Sequence, residues 1–278
     1  MTPPEPTSLL GPALLFCPAD RPDRYAKALA AADAVILDLE DGVGADGKDA
    51  ARAALAASDL DPARVIVRVN ATGTPEHAAD IAALRGTPYR LIMLPKAETR
   101  AQLDGLGADW RVVALCETAL GVVNAAEVAA APNVVAVMWG AEDLIASMRG
   151  RTNRFPDGRY RDVALHARST VLLAASAHGR PAVDAVYVNI PDLDGLAAEA
   201  EDAAASGFTL KGCIHPSQVA VVRKAFQADE AQVAWARRVL AAARDTSARD
   251  KGAIKVDGQM IDAPLIRQAE AILASVRP

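Results

Sequence analysis

At 278 residues and 51% hydrophobic content, the chain can bury one large core, since a single α/β barrel occupies about 250 residues. The net charge is only -5 and the basic residues are dispersed, which excludes a stripe for nucleic acid or an anionic membrane and points to a small polar substrate. Cys17, Cys116 and Cys213 lie far apart in apolar runs, a pattern that argues against a disulfide framework or a zinc site.

The stretch from Met1 to Ser8 holds three prolines and no basic residue, and the apolar run Leu9 to Cys17 is broken by Pro12. Neither a signal nor a transit peptide is visible. Charge interrupts every longer apolar stretch before the about 18 residues that a membrane span needs, so a soluble, cytoplasmic protein is expected. Further along, short β-branched or Leu-rich runs predict eight strands: 13–17, 34–39, 64–69, 90–94, 111–116, 134–138, 182–188 and 209–214. Each is followed by a segment rich in Ala, Leu, Glu and Arg, the alternation of parallel strands with crossover helices. Pro22, Pro75 and Pro216 suit first turns of helices, and 162–179 reads as one long helix ending at Gly179. Eight such units favour a closed (β/α)8 TIM barrel over an open doubly wound sheet, and no Gly-rich phosphate loop follows the first strand. The expected division is a barrel catalytic domain over 1–228 and a C-terminal helix with a lid or oligomerisation segment over 229–278, which includes GAIKVDGQMIDAPLIRQAEAIL.

Active sites of such barrels lie at the C-terminal ends of the strands. There the sequence places Asp38, Glu40 and Asp41; Arg68 and Asn70; Lys96; Glu117 and Thr118; Glu142 and Asp143; and His215. Charged groups ending apolar strands are costly to desolvate unless compensated. Glu117 and Asp143, on consecutive strands, can converge on one hard cation, and oxygen-only ligation suits Mg²⁺, with Mn²⁺ as a substitute. A single such acid could equally pair with an Arg or cap a helix. Arg68 carries the planar fork that takes a carboxylate bidentately, or it could pair with Glu40 or Asp41. Lys96 could form a Schiff base, although a metal offers the same electron sink. Ser217 or His215 reads as a cap of the last barrel helix. Asp262, between Ile261 and Pro264, is either a helix cap or a carboxyl raised by an apolar lid into the range of acid/base work.

The stretches LLFCPADRPDRYAKA, VILDLEDGV, VIVRVN, MLPKAE, ETALGVVNAAEVA, MWGAEDL, CIHPSQV and DGQMIDAPL together resemble the citrate lyase beta-subunit-like proteins of the HpcH/HpaI aldolase family. The resemblance runs from about residue 13 to 270 and implies a homotrimeric barrel enzyme dependent on Mg²⁺. It implies a carbon-carbon lyase acting on a 3-hydroxyacyl-CoA thioester of the citryl-, citramalyl- or malyl-CoA kind, giving an acyl-CoA and a 2-oxo acid, or the reverse condensation. A CoA-independent, pyruvate-releasing aldolase and a catalytically silent CoA-binding protein are the alternatives. By the same resemblance Glu117 and Asp143 hold the metal, Glu117 and Arg68 meet the substrate, and Glu40 and Asp41 line the site. Arg21, Arg24 and Lys27 would meet CoA phosphates, and Asp262 would act as acid/base across a subunit interface. The chain departs from the family at Pro12-Ala13, where an Arg-Ser pair is usual, which favours a free-standing enzyme over a complex subunit.

Overall fold

The computed structural model describes residues 11–244 and 253–276. Two compact units divide between Val222 and Arg223. In the first, the chain runs β1 (Ala13–Pro18), α1 (Pro22–Ala31), β2 (Ala34–Asp38), α2 (Lys48–Ala56), β3 (Val65–Arg68), α3 (Pro75–Arg85), β4 (Leu91–Leu94) and α4 (Arg100–Leu106). It continues through β5 (Arg111–Cys116), α5 (Ala119–Val123), α6 (Ala125–Ala129), β6 (Val134–Trp139), α7 (Ala141–Ser147), α8 (Asp162–Ala177), β7 (Ala182–Asp184), α9 (Leu193–Ser206), β8 (Leu210–Cys213) and α10 (Pro216–Ala225), whose last three residues belong to the second unit. The eight strands form a closed parallel barrel, shut by the pairing of β1 with β8. This is the (β/α)8 fold that the alternation predicts.

Side chains alternate across a strand. Leu14, Ile36, Ile66, Met93, Leu115 and Met138 share one buried cluster inside the barrel. Two residues further on, the same inward face carries Asp38, Arg68 and Glu117, so the apolar plug passes directly into charge at the C-terminal mouth. Helix starts hold the loops there. Thr74 accepts from His77 N, Thr99 forms a capping box with Gln102, and Thr118 accepts from Gly121 N; each cap of this kind contributes about 1 kcal/mol.

Strand β7 stops at Asp184, four residues before the expected end at 188. The carbonyls beyond it bond to side chains instead of a ladder: Lys211 Nζ donates to Ala185 O at 2.8 Å, and Gln218 Nε2 to Tyr187 O at 2.8 Å. Asp184 and Lys211, each one position past an inward residue, face outward beneath the helices. Lys211 Nζ lies 2.7 Å from Asp184 Oδ2 and 3.0 Å from Glu199 Oε1, while Arg168 Nε and Trp139 Nε1 donate to Asp184 Oδ1 at 2.9 and 2.7 Å. Trp139 is thus packing with its one donor satisfied. The three cysteines are buried and form no disulfide among the described residues, and burial raises the Cys17 thiol to about 11 and the Cys116 thiol to about 12.

The second unit contains α11 (Glu230–Arg244), an antiparallel hairpin of β9 (Ile254–Val256) and β10 (Gln259–Ile261), and α12 (Ala263–Ser275). Asp257 and Gly258 turn the hairpin with φ of 49° and 83°, the left-handed pair that a two-residue turn of matching twist requires. Ala236, Val239, Val256, Ile261 and Ala269 form its own small core. The polar Ser/Arg/Asp stretch between α11 and the hairpin falls largely outside the described residues. No helix among the described residues is long and apolar enough to cross a membrane.

The Asp184 network generates a stability prediction. Burial alone would push this carboxyl up, but the charges of Lys211 and Arg168 outweigh burial and hold it below its ordinary value. A carboxyl depressed in the folded state stabilises fully above its unfolded value of about 3.9, and that contribution is lost as pH falls through the lower folded value. Urea unfolding should therefore show Lys211→Met destabilised by about 3–5 kcal/mol at pH 7, the usual cost of stranding a buried partner, with the share of wild-type stability that Asp184 contributes lost on acidification below about pH 4. A Lys211→Met midpoint equal to wild type would show that Arg168 alone compensates Asp184.

Candidate active site

Asp38 and Arg68 end adjacent strands and are register partners in the sheet. Their side chains therefore meet at the mouth. Arg68 Nε and Nη2 donate to the two oxygens of Asp38 at 2.7 and 2.6 Å, and Nη1 stands 3.0 Å from Glu40 Oε2. Phe16 lies beneath, its ring centre 5.1 Å from the guanidinium carbon. Burial disfavours the charged guanidinium, but Asp38, Glu40 and Glu117 outweigh this and raise its pKa. The expected ion pair with Glu40 is present, but the bidentate partner is Asp38, not Asp41. The Nε edge is thus occupied by protein, and the Nη1 edge is the one a ligand can share.

Asp38 also organises the turn after β2, accepting from Glu40 N at 2.9 Å and Gly42 N at 2.8 Å. Lys48 Nζ closes the same turn from outside, donating to Leu39 O at 2.6 Å, Glu40 O at 2.7 Å and Asn70 Oδ1 at 2.9 Å. Glu40 is consequently a fixed, buried carboxylate. Asp41 is exposed and makes no contact with the cluster of the kind that Glu40 makes.

Glu117 follows β5 and is buried. The backbone of Gly140 lies against it: a Cβ at residue 140 would fall 2.8 Å from Glu117 Cβ and 2.9 Å from its Oε2, so only glycine permits this approach. Asp143, in the first turn of α7, stands at the rim with its side chain 37% exposed. Its neighbour Glu142 is held aside by Asn153 Nδ2 at 2.7 Å. Between the acids lies Lys96, whose Nζ is 2.6 Å from Glu40 Oε1, 3.7 Å from Asp143 Oδ1 and 3.9 Å from Glu117 Oε1. Burial, then Asp143 and Glu40, push the Glu117 carboxyl up to about 8 against the opposing pull of Lys96 and Arg68. Burial raises Glu40 as well, against Arg68 and Lys96. For Lys96, burial favours the neutral amine, but the bond to Glu40 and the charges of Glu117 and Asp143 raise its pKa. An ammonium held this way is not the free amine that Schiff-base chemistry needs.

Four carboxylates, Asp38, Glu40, Glu117 and Asp143, face two cations, Arg68 and Lys96, leaving two formal negative charges. Buried Glu40 Oε2 makes no hydrogen bond, despite its ion-pair distance from Arg68. An all-oxygen cluster short of two positive charges fits a hard divalent cation. Among the described residues no group of three or more His, Cys, Asp or Glu forms a metal cage. Glu117 and Asp143 could therefore supply two protein ligands, with water and substrate oxygens completing the shell, which is the habit of Mg²⁺.

Other residues from the sequence reading lie elsewhere. Arg21, Arg24 and Lys27 are exposed on or just before α1, Arg21 pairing with Asp23 at 3.1 Å. His215 Nδ1 accepts from Ser217 N at 3.2 Å, an arrangement internal to the start of α10. In the second unit, Asp262 caps α12, its carboxylate accepting from Leu265 N at 3.5 Å. The roles of Asp38, Lys48 and Phe16 were missed. For Asp38 and Phe16 a signal exists, because strand periodicity puts both on the inward face.

Comparison with known proteins gives a consistent result. A citrate lyase subunit beta-like protein of Mycobacterium tuberculosis is 58% identical over 263 residues, covering 95% of this chain and 94% of its own. The crystal structure of protein CitE from M. tuberculosis in complex with magnesium, acetoacetate and coenzyme A superposes with a TM-score of 0.90 at 57% identity, over 96% of this chain and 98% of that one. A citrate lyase beta subunit from M. tuberculosis complexed with oxaloacetate and magnesium gives a TM-score of 0.77 at 60% identity, over 78% of this chain and 97% of the other. Residues 13–216 match the HpcH/HpaI aldolase/citrate lyase family model, and the chain belongs to that family.

Proposed function

We propose that the protein is a Mg²⁺-dependent carbon-carbon lyase that cleaves a 3-hydroxyacyl-CoA thioester into an acyl-CoA and a 2-oxo acid, or runs the reverse condensation. The observation that carries this reading is the convergence of Glu117, Asp143 and Arg68 on one carboxylate-rich cluster short of two positive charges. Magnesium, acetoacetate, oxaloacetate and coenzyme A in the structures of similar proteins support the cofactor and the substrate class.

In this reading Glu117 and Asp143 hold the cation, which when bound supplies Lewis-acid stabilisation of negative charge developing on the substrate's oxygen. Arg68 presents its Nη1 edge to the carboxylate of the oxo acid, pre-oriented by Asp38. Glu40 lines the pocket wall, and Asp41 stands at its outer edge. In cleavage a base takes the 3-hydroxyl proton as the carbonyl of the 2-oxo acid forms, the bond to the thioester α-carbon breaks with its electrons remaining on that carbon, and a carboxyl returns a proton there. Asp262 is our candidate for that last step, donated by a neighbouring subunit of a homotrimer. Its support is its place beside a hairpin whose Met260 is 70% exposed, an apolar group suited to a partner surface. Arg21, Arg24 and Lys27 would receive CoA phosphates. Buried cysteines with no disulfide among the described residues suit a cytoplasmic, reducing setting.

Three outcomes are expected. Activity toward citramalyl-CoA or malyl-CoA should vanish in EDTA and return with Mg²⁺ or Mn²⁺, and Asp143→Asn should lose metal binding while keeping its circular dichroism and melting profile; full activity in excess EDTA removes the metal from the reaction. Arg68→Lys should raise KM for the oxo acid about tenfold or more, because one ammonium cannot replace a fork; unchanged kinetics would take Arg68 out of the site. Finally, inactive Glu117→Gln and Asp262→Asn chains, dissociated and reassembled together, should regain activity, since some mixed oligomers pair an intact pocket with an intact Asp262. No recovery in verified mixed oligomers places Asp262 in its own chain's site or outside the chemistry.

A further inference from the structure

Resting on the metal site proposed above, we propose that Lys96 is an internal counter-cation that keeps the site's affinity for a divalent ion low until a substrate anion arrives. Lys96 touches three of the four carboxylates: its ammonium reaches Glu40, Asp143 and Glu117, and its backbone N–H donates to Glu117 Oε1 at 3.1 Å. The reach depends on a φ of 49°, a left-handed conformation that few non-glycine residues adopt. Strain retained at a residue with a long cationic side chain, aimed into an acidic cluster, indicates a role for the placement itself.

The position is also asymmetric. Glu40 and Glu117 have side chains only 7% and 4% exposed, whereas Lys96 is 35% exposed. The ammonium is therefore the more solvent-exposed partner of two buried acids. A divalent ion between Glu117 and Asp143 would lie close to this fixed positive charge, in surroundings where burial weakens screening. Metal uptake is opposed in the free protein. A 2-oxo acid entering with its carboxylate offsets that repulsion, so metal and substrate each strengthen the binding of the other, and the coupling is reciprocal. A residue serving only as a clip for Glu40 would have the reverse signature, because its loss would loosen the acids and weaken metal binding.

The test is Mn²⁺ binding to the full-length, metal-free protein, read by calorimetry or electron spin resonance, with and without pyruvate. Lys96→Met keeps the length of the side chain and removes the charge. It should bind Mn²⁺ about tenfold or more tightly than wild type in the absence of pyruvate, the scale of a neighbouring unit charge, and pyruvate should tighten its binding less. Lys96→Arg should restore the wild-type affinity and coupling. Lys96→Gln is a second neutral replacement, to be read in the same way if Lys96→Met does not fold. Equal or weaker Mn²⁺ binding by a folded neutral variant overturns the inference. Wild type and Glu117→Gln binding Mn²⁺ alike would instead overturn the metal assignment, and this inference with it.

Discussion

Uncompensated negative charge at the mouth of the barrel is the constraint to which the rest of the site answers. Desolvating carboxylates is costly, and here Glu40 and Glu117 are both buried at one end of an apolar plug. The fold tolerates them because Arg68 and Lys96 are held among them by hydrogen bonds. The compensation is incomplete, which leaves the cluster chemically suited to a hard cation. A fully neutralised cluster would have no use for a hard cation, and a more acidic one would hold a cation too firmly for exchange.

A second buried ionic network, around Asp184 and Lys211, uses the same elements to a different end. It lies on the outer face of β7 and β8, and its charges are satisfied by hydrogen bonds from Arg168, Trp139 and Glu199 or to them. Nothing there is left for a ligand. Two clusters of similar composition thus differ in whether their charges close, and the direction of the strand's side chain decides which faces the mouth.

Much of this could be read from the chain. Eight apolar runs alternating with helical segments identify the barrel, and charge at their C-terminal ends identifies Glu117, Asp143, Arg68 and Glu40. What escaped has physical causes. The shortened β7 depends on Lys211 and Gln218 capturing carbonyls from 26 and 31 residues away, and no local pattern reports such capture. The hairpin of the second unit was missed because its strands are three residues each, although Asp257-Gly258 is a recognised turn signal. The helix after β5 breaks at Asn124, whose Nδ2 donates to Glu98 O at 2.9 Å, again a bond to a distant segment. Arg68's choice of Asp38 over Asp41 follows from strand register, which sequence specifies only once the neighbouring strand is known.

The register of β2 against β3 has a consequence for how this protein can vary. Asp38 and Arg68 are held opposite each other by the hydrogen-bond ladder of a closed sheet, not by any loop or outer helix. Drift on the solvent faces of the outer helices therefore leaves this register where it is, although Lys48 of α2 is still needed to hold the turn that carries Glu40. The surrounding loops can diverge while the Asp38–Arg68 pair stays constant, a division of labour that lets one scaffold diversify.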